Sequence, residues 1–214
     1  MALSEELDSL YIAVHQKMPP EVSKIIKSST ADFKASYDLK SATQVGQPLP
    51  TFKLQDAVGK EVSSADLLAQ GRLLISFYRG EWCPFCNLEI ATLQKHLSEF
   101  KARGVTLVAI SPELPDTSLS MTQKHDLKFP ILSDVGNRLA AQMGILFPQP
   151  EELKKAAVAL GIDFKARTGD ESMTVPVPAT FLVGTDGIVR NAFVDADYTK
   201  RLEPATALAW IDAL

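Results

Sequence analysis

Residues 72–90 read RLLISFYRGEWCPFCNLEI. The apolar run from Arg72 to Arg79 has the length of a buried strand. From Cys83 the chain takes up helical spacing, with Leu88, Leu93, Leu97 and Phe100 as apolar marks and Gly104 as a stop after Arg103. VTLVAIS at 105–111 is a second buried strand. A strand, a helix and a strand in this order predict a parallel pair joined by a right-handed crossover, hence an α/β fold with helices on both faces of the sheet.

Cys83 and Cys86, the only two cysteines among 214 residues, lie where the first strand hands over to the helix. Unsatisfied N–H groups and the positive dipole end of a helix N-terminus favour an anion there, and the thiolate is the reactive form of cysteine. Arg79 adds positive potential, Glu81 opposes it, and Pro84 suits the first turn, where a missing N–H costs nothing. Side chains three apart on a helix are neighbours, so the pair is placed to form and break a disulfide. A zinc site needs about four ligands. Only His15, His96 and His125 are available besides, and His96 stands about 15 Å along the helix from Cys86. A purely structural disulfide closing so short a loop gains little, and two inert buried thiols are the remaining alternative. Redox chemistry without metal or organic cofactor is the reading that uses both cysteines.

Outward from this centre, residues 3–38 read as two helices broken at Pro19-Pro20, a helical extension (1–42) that either covers the core or serves as a dimer arm. The main domain is expected over 43–214. Thr51–Leu54 reads as a short strand, DAVGK as a turn, and Ser63 or Ser64 as the cap of a helix through Leu68. Helices are expected at Asp116–His125 and Asn137–Met143 around a short FPIL strand, with His125 closing the first of them. Residues 145–175 read as an insertion containing a helix EELKKAAVAL and a polar stretch KARTGDES. ATFLVGTDGIVRNAFV turns at Thr185-Asp186-Gly187 as a hairpin over 179–194, which makes the sheet mixed, and Pro204 opens a closing helix. With 46% hydrophobic and 22% charged residues the composition is globular, and a net charge of −4 supplies no basic stripe for nucleic acid. No apolar run approaches the length of a membrane span, and the start MALSEELDSLY lacks the order of a signal peptide, so a cytoplasmic protein is expected.

Val45 to Gly144, resumed at VPVPATFLVGTDGIV, resembles the peroxiredoxins of the alkyl hydroperoxide reductase and thiol-specific antioxidant family. The resemblance rests on GQPLPTFKLQDAVGKEV, the strand and cysteine turn, FKARGV, VAIS and KHDLKFPILSDVGNRLAAQMGI. It implies the thioredoxin fold, a three-layer α/β/α sandwich on a central mixed sheet. Family peroxidases place proline, threonine, the peroxidatic cysteine and glutamate at offsets of minus seven, minus three, zero and plus three. Cys86 and Glu89 agree with that pattern; Arg79 and Cys83 depart from it. Trp82-Cys83-Pro84-Phe85-Cys86 instead resembles the Trp-Cys-x-x-Cys of thioredoxins, in which the first cysteine attacks. Pro178 stands where thioredoxin-like reductases keep a cis-proline and peroxiredoxins commonly an arginine, so Val177–Pro178 is expected to be cis, unless Pro178 only opens a strand.

Together these readings imply a thiol-dependent peroxidase that reduces hydrogen peroxide or organic hydroperoxides through a Cys83/Cys86 dithiol/disulfide cycle. Arg79, Trp82, Glu89 and Pro178 are its supporting residues. Glu89 is expected to orient Arg79, or else only to solvate a helix face. Trp82 and Phe85 either pack beside the turn or present a face to a reductant; Tyr78 belongs to the core. The reductant is expected to be thioredoxin-like or a glutathione-type thiol, and a homodimer is compatible. A disulfide reductase and a non-catalytic redox-sensing module are the alternatives. Peroxiredoxin spacing nominates Cys86 as nucleophile and thioredoxin spacing Cys83; the helix-opening position, with more free N–H groups and more solvent, favours Cys83.

Overall fold

In a computed structural model that describes residues 2–214, the chain opens with helices α1 (Leu3–Lys17) and α2 (Pro20–Ser36) and a single 3-10 turn at Leu39–Ser41. There follow β1 (Lys53–Asp56), β2 (Glu61–Ser63), α3 (Ser64–Leu68), β3 (Arg72–Phe77), α4 (Pro84–Lys95), α5 (Leu97–Ala102) and β4 (Val105–Ser111). The second half contains α6 (Pro115–Lys124), β5 (Ile131–Ser133), α7 (Arg138–Gln142), β6 (Leu146–Phe147), α8 (Glu151–Ala159) and α9 (Phe164–Thr168). It closes with β7 (Val175–Pro176), β8 (Ala179–Val183), β9 (Val189–Val194) and α10 (Pro204–Asp212).

Seven strands form one mixed sheet in the order β2-β1-β5-β4-β3-β8-β9. β3 pairs in parallel with β4, with Leu74 opposite Leu107, and antiparallel with β8, with Leu74 opposite Leu182. β3 is therefore central and buried on both faces, which is why its sequence is apolar without alternation. The pleat sends Leu73, Ile75 and Phe77 to one core, shared with Leu67 of α3 and Leu139 of α7. Leu74 and Tyr78 face the other, shared with Ile90 and Leu93 of α4, Phe100 of α5 and Ile211 of α10. The sheet lies between two helical layers, the expected three-layer sandwich.

Three expectations are corrected. The helix expected over 83–103 is two helices, because His96 leaves helical geometry (φ −97°, ψ 3°) and the bend lets α5 lie along β4. The polar stretch after residue 164 contains α9, capped by Asp163, whose carboxylate accepts from the Ala166 N–H at 2.9 Å. Among the described residues no peptide bond is cis, Val177–Pro178 included. Residues 177 and 178 link β7 to β8 with no turn assigned to them, and the Val177 N–H donates to the Ile145 carbonyl at 2.6 Å. No tight turn is present there to offset the ordinary trans preference.

α1 and α2 lie against the body of the fold. Leu3 and Leu7 are buried beside α4, and the Leu3 and Ser4 N–H groups are capped by the Glu203 carboxylate at 3.1 and 2.7 Å. α2 places Phe33 against Phe147, with ring centroids 4.1 Å apart, and the Tyr37 hydroxyl donates to the Gly144 carbonyl at 2.9 Å. Gly144 is the tight point of this seam. Its φ is +68°, and a Cβ there would stand 1.9 Å from the Ser41 carbonyl oxygen. Gly144→Ala combines a left-handed backbone with a backbone clash that no rotamer relieves, and should lower unfolding free energy by at least about 2 kcal/mol. Urea denaturation measures it; a change below about 0.5 kcal/mol would show that the seam is slack.

Candidate active site

β3 ends at Phe77, and the Tyr78 N–H continues the ladder by donating to the Ile110 carbonyl at 3.0 Å. The chain then leaves the sheet through Arg79, Gly80, Glu81 and Trp82 and enters α4, with Cys83 as N-cap and Cys86 one turn inside. Gly80 is required by close approach: a Cβ there would lie 2.5 Å from the Trp82 Nε1 and 2.9 Å from the Glu113 carboxyl carbon. The turn is tied from both sides. The Glu81 N–H donates to Glu113 Oε2 at 2.7 Å, and Asn87 Nδ2 donates to the Glu81 and Cys83 carbonyls at 2.5 and 2.9 Å. Asn87 Oδ1 is left as an acceptor, so His125, whose Nε2 lies 2.9 Å away, holds its proton on Nε2. His125 also ends α6, as its sequence position suggested.

Cys83 is 1% and Cys86 0% exposed, and both are free thiols. Burial alone would raise both pKa values. At Cys83, hydrogen bonding by Cys86 and the positive charges of Arg79 and Arg201 outweigh burial and bring the thiol down to about 6. At Cys86, burial and the neighbouring Cys83 sulfur push the thiol well above its ordinary value. The greater solvent exposure expected at Cys83 is absent. Both sulfurs feel Arg79 and Arg201; the hydrogen bond from the Cys86 thiol, which favours the anion on Cys83 and disfavours it on Cys86, distinguishes the two.

The Arg79 guanidinium lies between two rings, 4.7 Å from Trp82 and 4.6 Å from Tyr198, and Phe85 meets Tyr198 edge-on at 5.4 Å. Glu89 does not orient Arg79. It is 2% exposed on the inner face of α4, accepts from Ser76 Oγ at 3.2 Å, and pairs with Arg201, whose Nε is 2.5 Å from Glu89 Oε2. The correction is geometric: the aromatic rings hold Arg79 beside Cys83, while Arg201 reaches Glu89 from the segment between β9 and α10. Arg201 also donates through Nη2 to Cys86 Sγ at 3.4 Å and through Nη1 to the Tyr198 and Lys200 carbonyls. Burial lifts Glu89 to about 7 against the pull of Arg201. Glu81 is engaged with Ser120 and with Arg167 of α9, which also reaches Glu113 Oε1 at 3.2 Å. Burial raises Glu113 to about 7.

Trp82 is half-buried and packs edge-on against Phe164 of α9 at 5.1 Å. Phe85 and Tyr78 are buried. Pro178 lines a small space with Arg79 and Tyr198. A cavity of about 110 Å³ lies against Cys83, with Val14 of α1, Ile26 of α2 and Leu153 and Ala157 of α8 in its walls. Among the described residues, Arg79 Nε and Gln149 Nε2, both from residues lining this cavity, are buried without a hydrogen-bond partner. Each such donor costs about 1–3 kcal/mol. No cluster of three or more His, Cys, Asp or Glu side chains is placed to hold a metal among the described residues. Nor is any helix of these residues long and apolar enough to cross a membrane.

The expected residues Cys83, Cys86, Arg79, Trp82 and Glu89 do converge. Arg201, Tyr198, Glu113, Arg167 and Gln149 were not foreseen. One signal was present: Glu89 falls three residues after Cys86 on the helix face that also carries Ile90 and Leu93, and a carboxylate on a buried face calls for a cation.

The chain is 26% identical over 152 residues to the peroxiredoxin Bcp of Escherichia coli (strain K12), covering 71% of this chain and 86% of that protein. It is 23% identical over 165 residues to the thiol-disulfide oxidoreductase ResA of Bacillus thuringiensis (strain Al Hakam), covering 77% and 78%. Among solved structures, reduced 2-Cys peroxiredoxin of Plasmodium vivax superposes with a TM-score of 0.63 at 24% identity over 80% of this chain and 81% of that one. Peroxidoxin BcpB of Mycobacterium tuberculosis gives 0.63 at 22% identity over 80% and 98%. These two likenesses establish the thioredoxin-type fold. The model of the AhpC/TSA family matches residues 45–192, the cysteine turn included, and the chain belongs to that family.

Proposed function

We propose that this protein is a thiol-dependent peroxidase, a peroxiredoxin-like oxidoreductase that reduces hydroperoxides through Cys83 and Cys86. The observation that carries the reading is a pair of buried free thiols at the start of α4, Cys83 against a cavity and Cys86 one helical turn behind it, with Arg79 and Arg201 beside them. In the first step the Cys83 thiolate attacks the distal peroxide oxygen. The S–O bond forms, the O–O bond breaks, the sulfur becomes a sulfenic acid, and the alkoxide or hydroxide released is protonated. In the second, Cys86 gives up its proton and displaces hydroxide from the Cys83 sulfur, which yields a disulfide and water. Two electrons from an external thiol reductant, thioredoxin-like or of the glutathione type, restore the pair. Arg79 and Arg201 stabilise the anionic sulfur and the charge developing on the leaving oxygen. Glu89 is a positioning residue that holds Arg201.

Disulfide reduction is the second reading, favoured by the Trp82-Cys83-Pro84-Phe85-Cys86 sequence and by the ResA relative. Sulfurs 1% and 0% exposed under α1, α2 and α8 admit a small peroxide more readily than a folded protein disulfide. Catalytic peroxide consumption with a dithiol donor supports the first reading; turnover of a protein disulfide with no reaction toward peroxide would replace it.

Cys83 should titrate with a midpoint of about 6, read as thiolate absorbance lost in Cys83→Ser. Because the thiolate is the reactant, the peroxide rate constant should be flat above that midpoint and fall about tenfold per pH unit below it. A midpoint at the ordinary thiol value of about 8.5 would contradict the assignment. Cys86→Ser should stop at a sulfenic acid on Cys83, whereas the native chain should give one intramolecular disulfide by mass spectrometry rather than linked dimers. A sulfenic acid trapped on Cys86 in the Cys83→Ser variant, with the fast reaction retained, would reverse the roles.

Arg201→Lys keeps the charge and loses the fork that bridges Glu89 and Cys86. It should slow the peroxide step by about tenfold or more and move the Cys83 midpoint upward. An unchanged rate and midpoint would remove Arg201 from the mechanism.

A further inference from the structure

Cys83 and Cys86 stand one helical turn apart in residues 1% and 0% exposed, so a disulfide between them forms without opening the site and stays enclosed once formed. Its reduction passes through a mixed disulfide in which the reductant is bonded to one protein sulfur. The space beside Cys83, about 110 Å³, is far below the roughly 300–1,000 Å³ of sites that enclose a drug-sized molecule. A tripeptide thiol or the edge of a protein does not fit it. Part of the wall has to move.

The walls differ in how they are fastened. α1 and α2 are rooted in the main body: Leu3 and Leu7 belong to the core shared with α4, and Glu203 caps the start of α1. Residues 148–174 leave and rejoin the body at one place, the ladder of β6 and β7, in which Phe147 pairs with Val175. They have a small core of their own, in which Ala157, Phe164 and Met173 meet Val175 outside the two cores that flank the sheet. The Asp163 cap of α9 and the Lys165–Glu171 ion pair at 2.6 Å hold the segment internally. From it Leu153, Ala156, Ala157, Leu160 and Ile162 line the cavity with Cys83, and α8 lies beside α2. Beyond the ladder, its hydrogen bonds to the body fall on two points among the described residues. Asn137 Nδ2 donates to the Thr174 carbonyl at 3.0 Å, next to the ladder. The others are all made by Arg167: its carbonyl accepts from the Leu114 N–H at 2.7 Å, and its Nη1 lies 3.4 Å from Glu81 Oε2 and 3.2 Å from Glu113 Oε1.

Building on the peroxidase reading, we propose that residues 148–174 are a hinged cover over the cysteine pair, pivoting at the β6–β7 ladder and fastened to the active turn by Arg167, and that this cover lifts for reduction of the disulfide by an external thiol. A small hydroperoxide reacts with the cover closed. With the cover raised and α8 parted from α2, the reductant thiolate attacks the Cys83 sulfur, the S–S bond breaks, and Cys86 leaves as a thiolate that takes up a proton. A second thiol of the reductant then gives up its proton and displaces Cys83 from the mixed disulfide, so the reductant departs oxidised and the pair is restored. Arg167 touches neither sulfur. It is a positioning residue, because the guanidinium that fastens the cover also holds Glu81 in the turn before Cys83.

The experiment uses the full-length chain oxidised with diamide, so that formation of the disulfide does not depend on peroxide. It measures the rate of reduction by excess glutathione, and amide exchange by NMR at Leu114, whose N–H is bonded to the cover, against Leu74 in β3. Arg167→Gln should raise the reduction rate and the Leu114 exchange rate by at least about threefold and by a common factor, with Leu74 unmoved. Phe164→Ala removes the apolar fastening to Trp82, should act in the same way, and serves if the first variant fails to fold. Arg103→Gln, which breaks an exposed pair with Asp212, should do neither. A smaller rise in reduction, a rise matched at Leu74, or an equal effect of Arg103→Gln would overturn the cover. The peroxidase reading fails separately, if the reduced native chain does not consume peroxide.

Discussion

A sulfur that carries negative charge with 1% of its surface exposed has lost the water that would stabilise it, and at Cys83 a hydrogen bond from the Cys86 thiol and two guanidinium groups take the place of that water. Much of the local structure follows from that substitution. A buried guanidinium is itself costly unless paired. Arg201 is paired with Glu89, and Arg79 is held between the faces of Trp82 and Tyr198. The Glu89 carboxylate then needs its own support, which Ser76 on β3 and Arg201 provide. Counted as charges, the site holds Arg79 and Arg201 against the Cys83 thiolate and a Glu89 carboxyl that burial leaves only partly ionised near neutral pH. Forming the disulfide removes one anion and leaves a buried positive charge without its counterpart. That imbalance favours return to the reduced state, as with other dithiols whose attacking thiol is strongly acidic.

The cover over the site serves the same electrostatics. α1, α2 and α8 exclude water, and a charge interacts more strongly with its neighbours where the dielectric is low. α9 extends the effect to the turn itself. Its Phe164 supports Trp82, and its Arg167 ties Glu81 to Glu113. Occupied in this way, the Glu81 carboxylate is held by partners other than the cysteines, which answers the opposition expected of it from sequence. The chain between β6 and β7 therefore contributes to the geometry of the turn as well as to the wall of the cavity.

What could be read from sequence is what local pattern determines. The apolar run of β3, the stop at Gly104, the cap at Ser63 and the turn before β9 all appear where periodicity and turn chemistry placed them. The cysteine pair was legible because its two members are close in sequence and stand at a recognisable junction. Arg201 was not, because its contact with Cys86 spans 115 residues and an arginine in a loop ordinarily reads as solvated. Gln149 was hidden for the same reason, in a Pro-rich corner that carries no pattern. The break at His96 has neither Gly nor Pro to announce it. The trans bond at Pro178 depends on the path of the chain from β7 to β8, which is tertiary information.

The departures from the peroxiredoxin pattern acquire a common explanation once charge, rather than residue identity, is compared. The resemblance puts Pro178 where family peroxidases commonly keep an arginine, and Arg79 where they keep a proline. Pro178 and Arg79 line the same small space, together with Tyr198. A cation is thus present beside the cysteines although the position that usually supplies it cannot, and Arg201 brings a second from the far end of the domain. Cys83, at the position of the family threonine, is itself the sulfur whose pKa is lowered, by the Cys86 hydrogen bond together with these cations. Moving the acidic thiol from 86 to 83 shifts it by one helical turn to the mouth of α4, where the cavity is. The cation at Arg79 and the cover from α1 and α2 are placed to suit that shifted sulfur. The local sequence resembles thioredoxin, whereas the body that presents it is that of the AhpC/TSA family.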